Sequence, residues 1–205
     1  MAVVAICGFI GAGKDTVADF LINDYGFEKA SFAGALKDAV AAVFGWDREL
    51  LEGRTAEARA WREQVDEWWA ARLGMPHLTP RWILQYWGTE VCRRGFHNDI
   101  WVAAVENKLR STGKNMVLTD CRFPNEVAAM RNLGAKVVWV KRGPLPAWYS
   151  LALRANKGDQ QAAAELAAQR VHASETSWVG THFDFELANN GTLEELQSAV
   201  KVLAG

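Results

Sequence analysis

The chain has 205 residues, of which 50% are hydrophobic and 23% are charged, a balance typical of a soluble globular protein. At roughly 150 residues per domain, the length predicts one domain with room for an inserted subdomain. The 23 lysines and arginines against 24 aspartates and glutamates give a net charge of −1. This balance excludes a broadly basic nucleic-acid-binding surface and an acidic disordered tail.

The cysteines and histidines do not form a recognisable framework. Cys7, Cys92 and Cys121 are an odd number at wide spacings, so we expect neither a disulfide scaffold nor a structural zinc site. The four histidines lack metal-ligand spacing. The first apolar stretch is too short to span a membrane and has no basic flank, so we expect no signal peptide and no membrane partner. Free thiols then fit a reducing cytoplasm.

The predicted elements alternate between strands and helices. In chain order we expect a strand at residues 3–7, a helix at 14–24, a strand at 27–32, a helix at 35–44, a polar helical stretch at 47–73, helices at 80–94 and 99–109, a strand at 116–118, a helix at 126–133, a strand at 136–140, helices at 148–156 and 159–171, a strand at 183–187 and a closing helix at 192–203. Thr192 followed by Glu195 predicts a capping box for the last helix. This alternation predicts an α/β fold with a mostly parallel sheet and a helical insertion at about residues 46–112.

The strongest motif lies between the first strand and the first helix. It reads Gly8-Phe9-Ile10-Gly11-Ala12-Gly13-Lys14 and matches the first seven positions of G-x-x-x-x-G-K-[ST]. The glycines let backbone N–H groups turn inward around an anion, and the helix adds the positive end of its dipole. Lys14 can reach the β- and γ-phosphates of a nucleotide as a point charge. The alternative, a glycine-rich turn with a surface lysine, is disfavoured by the flanking strand and helix.

The eighth position of the motif departs from the pattern. Asp15 stands where a serine or threonine normally binds magnesium, and Thr16 follows it. We expect Asp15 to hold the metal directly or through water, and Thr16 to contact the α-phosphate. The departure concerns the ligands of the metal and leaves the phosphate-binding loop intact.

A second acidic residue follows a predicted strand. Asp120 comes directly after residues 116–118 and Thr119, at the carboxyl end of the sheet where ligands bind in α/β proteins. It is a candidate to hold magnesium through water, and Arg122, two residues later, to stabilise phosphoryl charge. The alternative is a turn cap with a solvated arginine, and the phosphate loop favours the functional interpretation.

With these motifs the chain resembles the phage-type deoxynucleoside monophosphate kinases, a branch of the P-loop nucleoside monophosphate kinases. The matching segments are Gly13-Lys14-Asp15-Thr16, Gly34-Ala35-Leu36-Lys37-Asp38, Gln85-Tyr86-Trp87-Gly88-Thr89-Glu90 with Arg93, Asp99-Ile100-Trp101-Val102, Thr119-Asp120-Cys121-Arg122, His172-Ala173-Ser174-Glu175 and Asn189-Asn190-Gly191-Thr192. They are collinear and cover most of the chain, and the aspartate after the loop lysine is itself typical of this family. Residues 47–75 and 144–170 match less well.

The resemblance implies a P-loop NTPase-like three-layer fold and transfer of the γ-phosphoryl group of ATP, with Mg²⁺, to a deoxynucleoside monophosphate. It implies that Lys14, Asp120 and Arg122 serve catalysis, and that Asp15 and Asp120 hold the metal. Such a transfer requires positioning and charge stabilisation more than covalent chemistry from the protein. The monophosphate acceptor is already anionic, so no general base is needed.

The resemblance also suggests where the acceptor binds. Lys37, Arg93 and Arg122 would bind its phosphate, whereas solvated helix faces are the alternative for Lys37 and Arg93. Gln85 and Trp101 are the candidates to read the base, chosen from an aromatic-rich set that includes Trp82, Tyr86 and Trp87. Ten tryptophans are many, and we expect most of them, including Trp61, Trp68 and Trp69, to pack in the core.

Monophosphate kinases close an arginine-bearing lid over ATP, which excludes water from the reaction. Residues 143–180 are the expected lid, and Arg142 and Arg170 are the expected phosphate contacts, without a choice between them.

Three functions stay open from the residues alone. They are a deoxynucleoside monophosphate kinase, a P-loop kinase of another small acceptor such as dephospho-coenzyme A, and a non-catalytic nucleotide-binding protein. The second phosphate site around Lys37 and Arg93 argues against the third. No nucleic-acid partner is expected, a homodimer could form through the tryptophan-rich helices, and a phage-encoded protein would act in the host cytoplasm.

Overall fold

The computed structural model describes residues 1–205 and divides into two compact units. The first, here called the sheet unit, contains residues 1–30 and 108–205. The second, here called the helical unit, contains residues 31–107. None of the helices is both long enough and apolar enough to cross a bilayer.

The sheet unit contains five parallel strands. They are β1 (Val3–Cys7), β2 (Glu28–Ala30), β3 (Met116–Leu118), β4 (Lys136–Lys141) and β5 (Phe185–Ala188). Their order across the sheet is β2-β3-β1-β4-β5, and Ala5 of the central strand lies opposite Leu118 on one side and Val137 on the other. The predicted α/β class with a mostly parallel sheet is therefore confirmed.

Twelve α-helices and one π-helical segment complete the chain. They are α1 (Lys14–Tyr25), α2 (Gly34–Phe44), α3 (Arg48–Glu52), α4 (Ala56–Arg62), α5 (Glu67–Leu73), α6 (Pro80–Tyr86), the π-helix (Trp87–Arg94), α7 (Ile100–Thr112), α8 (Pro124–Asn132), α9 (Tyr149–Asn156), α10 (Gln160–Ala168), α11 (Ala173–Thr176) and α12 (Leu193–Ala204). Helix α12 begins with the predicted capping box: the Glu195 N–H donates to Thr192 Oγ1, and the Thr192 N–H donates to the Glu195 carboxylate.

Helices cover both faces of the sheet. Val4 and Ile6 of β1 share a buried cluster with Leu21 of α1 and Leu196 of α12. The intervening residue of β1, Ala5, points to the opposite face and is also fully buried. Helix α8 packs against β1 and β4. The sheet unit therefore has the expected three layers, and its strands β1 and β3 are apolar and buried along their whole length, as is typical of a parallel sheet covered on both faces.

The strand order fixes where a ligand can bind in the sheet unit. From β1 the chain passes through α1 to β2 on one side, and from β3 it passes through α8 to β4 on the other. Since crossovers between parallel strands are almost always right-handed, the two connections are expected to leave the neighbouring strands β1 and β3 toward opposite faces of the sheet. The crevice between the carboxyl ends of β1 and β3 is therefore the expected binding position.

Within the helical unit, the stretch predicted as one polar helical region forms three short helices instead. The side chains of Asp47, Thr55 and Asp66 each cap the start of one of them by accepting backbone N–H bonds. Gly53 and Gly74 end α3 and α5 in the left-handed conformation. Local side-chain caps therefore divide the helical pattern, as such residues commonly do.

Aromatic side chains form much of the core of the helical unit. Phe44 stacks on Trp46 with ring centroids 4.4 Å apart and meets Trp69 edge-on at 4.9 Å. The Trp69 indole N–H donates to the Phe44 carbonyl, and the Trp46 indole N–H donates to Asp66. Trp69 packs as expected, whereas Trp68 is 64% exposed.

The helix predicted over residues 80–94 changes its winding partway. After Tyr86 it continues as the π-helix, in which the Gly95 N–H donates to the Glu90 carbonyl and the His97 N–H to the Cys92 carbonyl, each five residues back. Gly88 lies where this segment contacts α2 and α7. A Cβ added at Gly88 would be 2.7 Å from the Leu36 side chain, and the Gly88 carbonyl accepts the Trp101 indole N–H at 3.0 Å. These tertiary contacts, absent from the sequence pattern, accompany the wider turn.

Candidate active site

The glycine-rich loop lies at the carboxyl end of the central strand of the sheet unit. It connects β1 directly to the start of α1 at Lys14, as predicted. The first N–H groups of a helix have no partner within the helix, so the start of α1 presents donors and a positive dipole end to this loop. This combination binds phosphate.

Two glycines of the loop are required by their surroundings. Gly13 caps α1 with a φ of 93°, and a Cβ added there would lie 2.3 Å from Asn189 Nδ2. A Cβ added at Gly8 would lie 2.7 Å from the Val140 carbonyl oxygen. Ala12 between them is buried, and its carbonyl accepts the Asn189 side-chain N–H at 2.8 Å. The loop is thus held against β4 and against the segment that follows β5.

Lys14 is held over the loop. Its ammonium donates to the Phe9 carbonyl oxygen at 2.9 Å, and that oxygen also accepts the Ala12 N–H at 3.1 Å. Burial, together with the positive charge of Arg122, lowers the pKa of Lys14, and the Glu175 carboxylate partly opposes this shift. The positive charges of Lys14 and Arg122 repel each other, and an anion bound between them would relieve that repulsion.

Asp15 has two partners in the sheet unit. Its Oδ1 accepts the Lys29 ammonium at 2.7 Å and the Thr119 hydroxyl at 3.1 Å. Burial would raise the pKa of Asp15, but the hydrogen bond from Lys29 and the nearby positive charge outweigh it and lower that pKa. Asp15 is therefore a carboxylate at neutral pH, linked to the residue that precedes Asp120.

Arg122 is fixed at its backbone and at its side chain. Its N–H and that of Phe123 donate to the buried Glu126 carboxylate, at 2.8 and 3.1 Å. Its guanidinium forms an ion pair with Glu175, which lies on α11. Asp120 is half-buried beside it, between β3 and α8. The structure therefore brings Lys14 and Arg122 together at the crevice between β1 and β3.

Lys37 lies on α2 in the helical unit and is ion-paired. Its ammonium donates to Glu52 at 2.7 Å, and Arg48 donates to the same carboxylate at 2.6 Å. Arg48 also pairs with Asp38. Burial would raise the pKa of Glu52, but the hydrogen bonds from Lys37 and Arg48 lower it to about 2.

The other predicted acceptor residues lie on consecutive elements of the helical unit. Gln85 is exposed on α6, and Arg93 is on the π-helix, where its guanidinium approaches the Asn98 carbonyl at 3.5 Å. Trp101 of α7 is only 8% exposed, and its indole N–H donates to the Gly88 carbonyl. The N–H edge of the indole is therefore not available to hydrogen-bond a base. The substrate roles of Lys37, Gln85, Arg93 and Trp101 stay predictions.

The expected lid forms three helices, α9, α10 and α11. Asn156, at the end of α9, donates to the Thr176 and Val179 carbonyls, each at 2.8 Å, and so joins the first of these helices to the last residues of the segment. Arg142 is exposed directly after β4, and Arg170 is exposed with a φ of 54°, the one non-glycine residue with a positive φ. Neither arginine is distinguished from the other as a phosphate contact, and the lid assignment stays a prediction.

Three residues at this site were not selected from the sequence. Asn189 was noted only as part of a matching segment, yet its amide bonds the glycine-rich loop. Lys29 was read only as part of a strand, yet it forms an ion pair with Asp15. Glu175 was noted only as part of a matching segment. The sole advance signal was that Asn189 and Glu175 lie in segments that match the family.

The donor set of the sheet unit fits a magnesium-bound nucleotide. Magnesium prefers oxygen ligands and commonly binds through one or two carboxylates together with the phosphates of the substrate. Asp15 directly follows the loop and accepts a hydrogen bond from Thr119, the residue before Asp120, so these two acidic residues are the candidates for such ligands.

Comparisons with known proteins agree with the resemblance. A sequence model of the deoxynucleotide monophosphate kinase family matches residues 70–145. A protein of Acanthamoeba polyphaga mimivirus, provisionally named a deoxynucleotide monophosphate kinase, is 26% identical over 213 residues, which span 98% of this chain and 94% of the viral protein. The resemblance to this family is thus confirmed, and the matches support a nucleotide-binding phosphotransferase.

Solved structures also resemble the chain. Dephospho-CoA kinase from Campylobacter jejuni is 17% identical with a TM-score of 0.48, and the match covers 98% of this chain and 94% of that one. A sugar kinase from Janibacter sp. is 12% identical with a TM-score of 0.43, and the match covers 99% and 94%.

Proposed function

We propose that this protein transfers the γ-phosphoryl group of ATP to a deoxynucleoside 5′-monophosphate and releases ADP and a deoxynucleoside diphosphate. The observation that carries the proposal is the glycine-rich loop between β1 and the start of α1, where the positive charge of Arg122 is close enough to Lys14 to lower the Lys14 pKa. The deoxynucleoside monophosphate as acceptor is supported by the family match, which spans Gln85, Arg93, Trp101, Asp120 and Arg122.

The donor would bind to the sheet unit. The backbone N–H groups of the loop and of the first turn of α1 would surround the β-phosphate, and Lys14 would leave the Phe9 carbonyl to bind the β- and γ-phosphates. Thr16 would contact the α-phosphate. Arg122 would stabilise the charge that spreads over the transferred phosphoryl group.

Asp15 and Asp120 would hold Mg²⁺, which when bound neutralises charge on the β- and γ-phosphates. Lys29 would then give up or share its bond to Asp15, and Thr119 would keep that carboxylate oriented. Arg142 or Arg170 would add a cation from the ends of the lid, which would exclude water so that transfer to the acceptor is faster than hydrolysis.

The acceptor would bind to the helical unit. Lys37 and Arg93 would bind its phosphate, and Gln85 would hydrogen-bond the edge of its base. Glu52 would keep Lys37 oriented, because the pKa of that carboxyl, about 2, keeps Glu52 ionised at every physiological pH. Trp101 would contribute through its ring face, since its N–H is bound to Gly88.

The test is a steady-state assay of ADP release with ATP, Mg²⁺ and each deoxy- and ribonucleoside monophosphate, with dephospho-coenzyme A as a further acceptor. We expect ADP release that depends on at least one deoxynucleoside monophosphate and yields the corresponding diphosphate. The Lys14→Ala variant is the control for contaminating kinases. If no deoxynucleoside monophosphate stimulates ADP release, the proposed function is wrong; activity with dephospho-coenzyme A alone would replace it with the second alternative.

A further inference from the structure

Glu175 is a carboxylate beside the phosphate-binding cations, and the proposed reaction as described so far does not use it. It lies on α11, one turn after His172, whose ring nitrogen accepts the Ser174 N–H and caps that helix. Its side chain is 16% exposed and forms an ion pair with Arg122. The carboxylate is also close enough to Lys14 to oppose the lowering of the Lys14 pKa.

The Glu175 carboxylate carries a negative charge close to the proposed phosphate site, which is unfavourable for phosphate binding by itself. It repels the phosphates that Lys14 and Arg122 are placed to attract, so by simple electrostatics it weakens nucleotide binding. The carboxylates suited to magnesium are Asp15 and Asp120, at the ends of other elements. Glu175 is therefore expected to contribute something that offsets its repulsion.

The geometry around Arg122 indicates what that contribution is. The backbone of Arg122 is fixed through Glu126, which accepts its N–H at 2.8 Å, but a guanidinium on a long side chain still has several rotamers. The ion pair with Glu175 fixes the guanidinium itself. Because arginine carries five N–H donors in a planar fork, the remaining donors stay available to a phosphoryl group.

We propose that Glu175 is a positioning residue that holds the Arg122 guanidinium in the orientation required for phosphoryl transfer, and so connects the inner end of the lid segment to the phosphate site. This inference rests on the proposed role of Arg122 in the proposed function. Glu175 acts through Arg122 and does not itself touch the nucleotide.

The test is a double-mutant cycle in kcat between Glu175→Gln and Arg122→Ala. The Gln variant keeps the size and a hydrogen-bond acceptor but loses the charge. In the wild-type background we expect kcat to fall by about 10- to 100-fold, because a misplaced catalytic group can cost about that factor. In the Arg122→Ala background, the same substitution should change kcat by less than about twofold.

A binding measurement tests the same coupling without requiring that the acceptor substrate be known. Arg122 is expected to contact the γ-phosphate, so we compare Kd values by calorimetry for ADP and for a non-hydrolysable ATP analogue. Glu175→Gln should reduce the preference for the ATP analogue in the wild type and should not reduce it in Arg122→Ala, where only the repulsion by the carboxylate is removed. Glu165→Gln is the matched control, since Glu165 is exposed on α10 and accepts a hydrogen bond from Gln161, four residues before it on the same helix.

The outcomes separate the two proposals. If Glu175→Gln lowers kcat, or the preference for the ATP analogue, equally in both backgrounds, Glu175 does not act through Arg122 and the inference is wrong. If the wild type uses no deoxynucleoside monophosphate but the binding cycle shows coupling, the proposed acceptor is wrong and the positioning role stands. Unfolding midpoints in urea for every variant identify any loss caused by misfolding.

Discussion

Replacing Gly13 by alanine should distort the phosphate loop, and Asn189 is the reason. The added Cβ would lie 2.3 Å from Asn189 Nδ2, so the amide would have to retreat by about 0.7 Å to reach even the shortest tolerated contact. That movement breaks or lengthens the 2.8 Å bond from Asn189 to the Ala12 carbonyl. The loop would then lose the contact that joins it to the segment after β5.

The expected magnitude has two parts. A non-glycine residue in the left-handed region costs about 1–2 kcal/mol, and loss of the hydrogen bond adds about 1 kcal/mol. Gly26, at the other end of α1, has a φ of 69° and an added Cβ would meet nothing within 4 Å. Gly26→Ala therefore carries the conformational cost alone and serves as the matched control.

The assay is urea unfolding combined with calorimetric ATP binding. We expect Gly13→Ala to lose about 2–3 kcal/mol of unfolding free energy and to bind ATP at least about 10-fold more weakly, and Gly26→Ala to lose about 1–2 kcal/mol with normal binding. Asn189→Ala removes the clash, so the double variant with Gly13→Ala should be less destabilised than the sum of the single variants. Equal losses for Gly13→Ala and Gly26→Ala, or strict additivity with Asn189→Ala, would refute this reasoning.

Three further outcomes are expected. Lys14→Ala should lower kcat/KM by about 10²- to 10³-fold because a charged phosphate contact is lost, and near-normal turnover would contradict the loop assignment. Arg93→Ala should raise the KM of the acceptor at least about 10-fold with an unchanged Kd for ATP; an unchanged acceptor dependence would remove Arg93 from the site. The Glu52 pKa of about 2 lies below its ordinary value of 4.5, so between these values the unfolded chain binds more protons than the folded chain. As the pH falls from about 5 to about 2, the unfolding free energy of the wild type, measured in urea, should therefore drop by up to about 3 kcal/mol relative to that of Glu52→Gln. Parallel pH curves for the two proteins would refute the ion-pair argument.

Sequence patterns were sufficient to predict the elements whose structure depends on residues close to one another in the chain. The predicted strand bounds of β1 and β3 match the structure, and the capping box at Thr192 and Glu195 was read correctly because cap and helix are three residues apart. The glycine-rich loop between β1 and α1 was located for the same reason, since it occupies one continuous segment that ends at Lys14. The strand predicted at residues 183–187 begins two residues later, and Phe183 instead packs against Trp139 with ring centroids 5.3 Å apart.

Some features of the helical unit could not be read from periodicity. The pattern over residues 80–94 fits an α-helix, and the change to a π-helix accompanies contacts of Gly88 with Leu36 and Trp101, which are distant in sequence. Similarly, Lys37 was selected as a phosphate ligand, but nothing in its neighbourhood indicated that Glu52 would bind it.

The amino-acid sequence by itself thus determined the strand, the glycine-rich turn and the helix carrying Lys14, the consecutive elements on which the proposed phosphate site rests. The tertiary structure decided how that site is held. Asn189 reaches Ala12 across 177 residues and Glu175 reaches Arg122 across 53. Such bonds exist because the sheet places β1 between β3 and β4, and no periodic pattern within a segment encodes the order of strands.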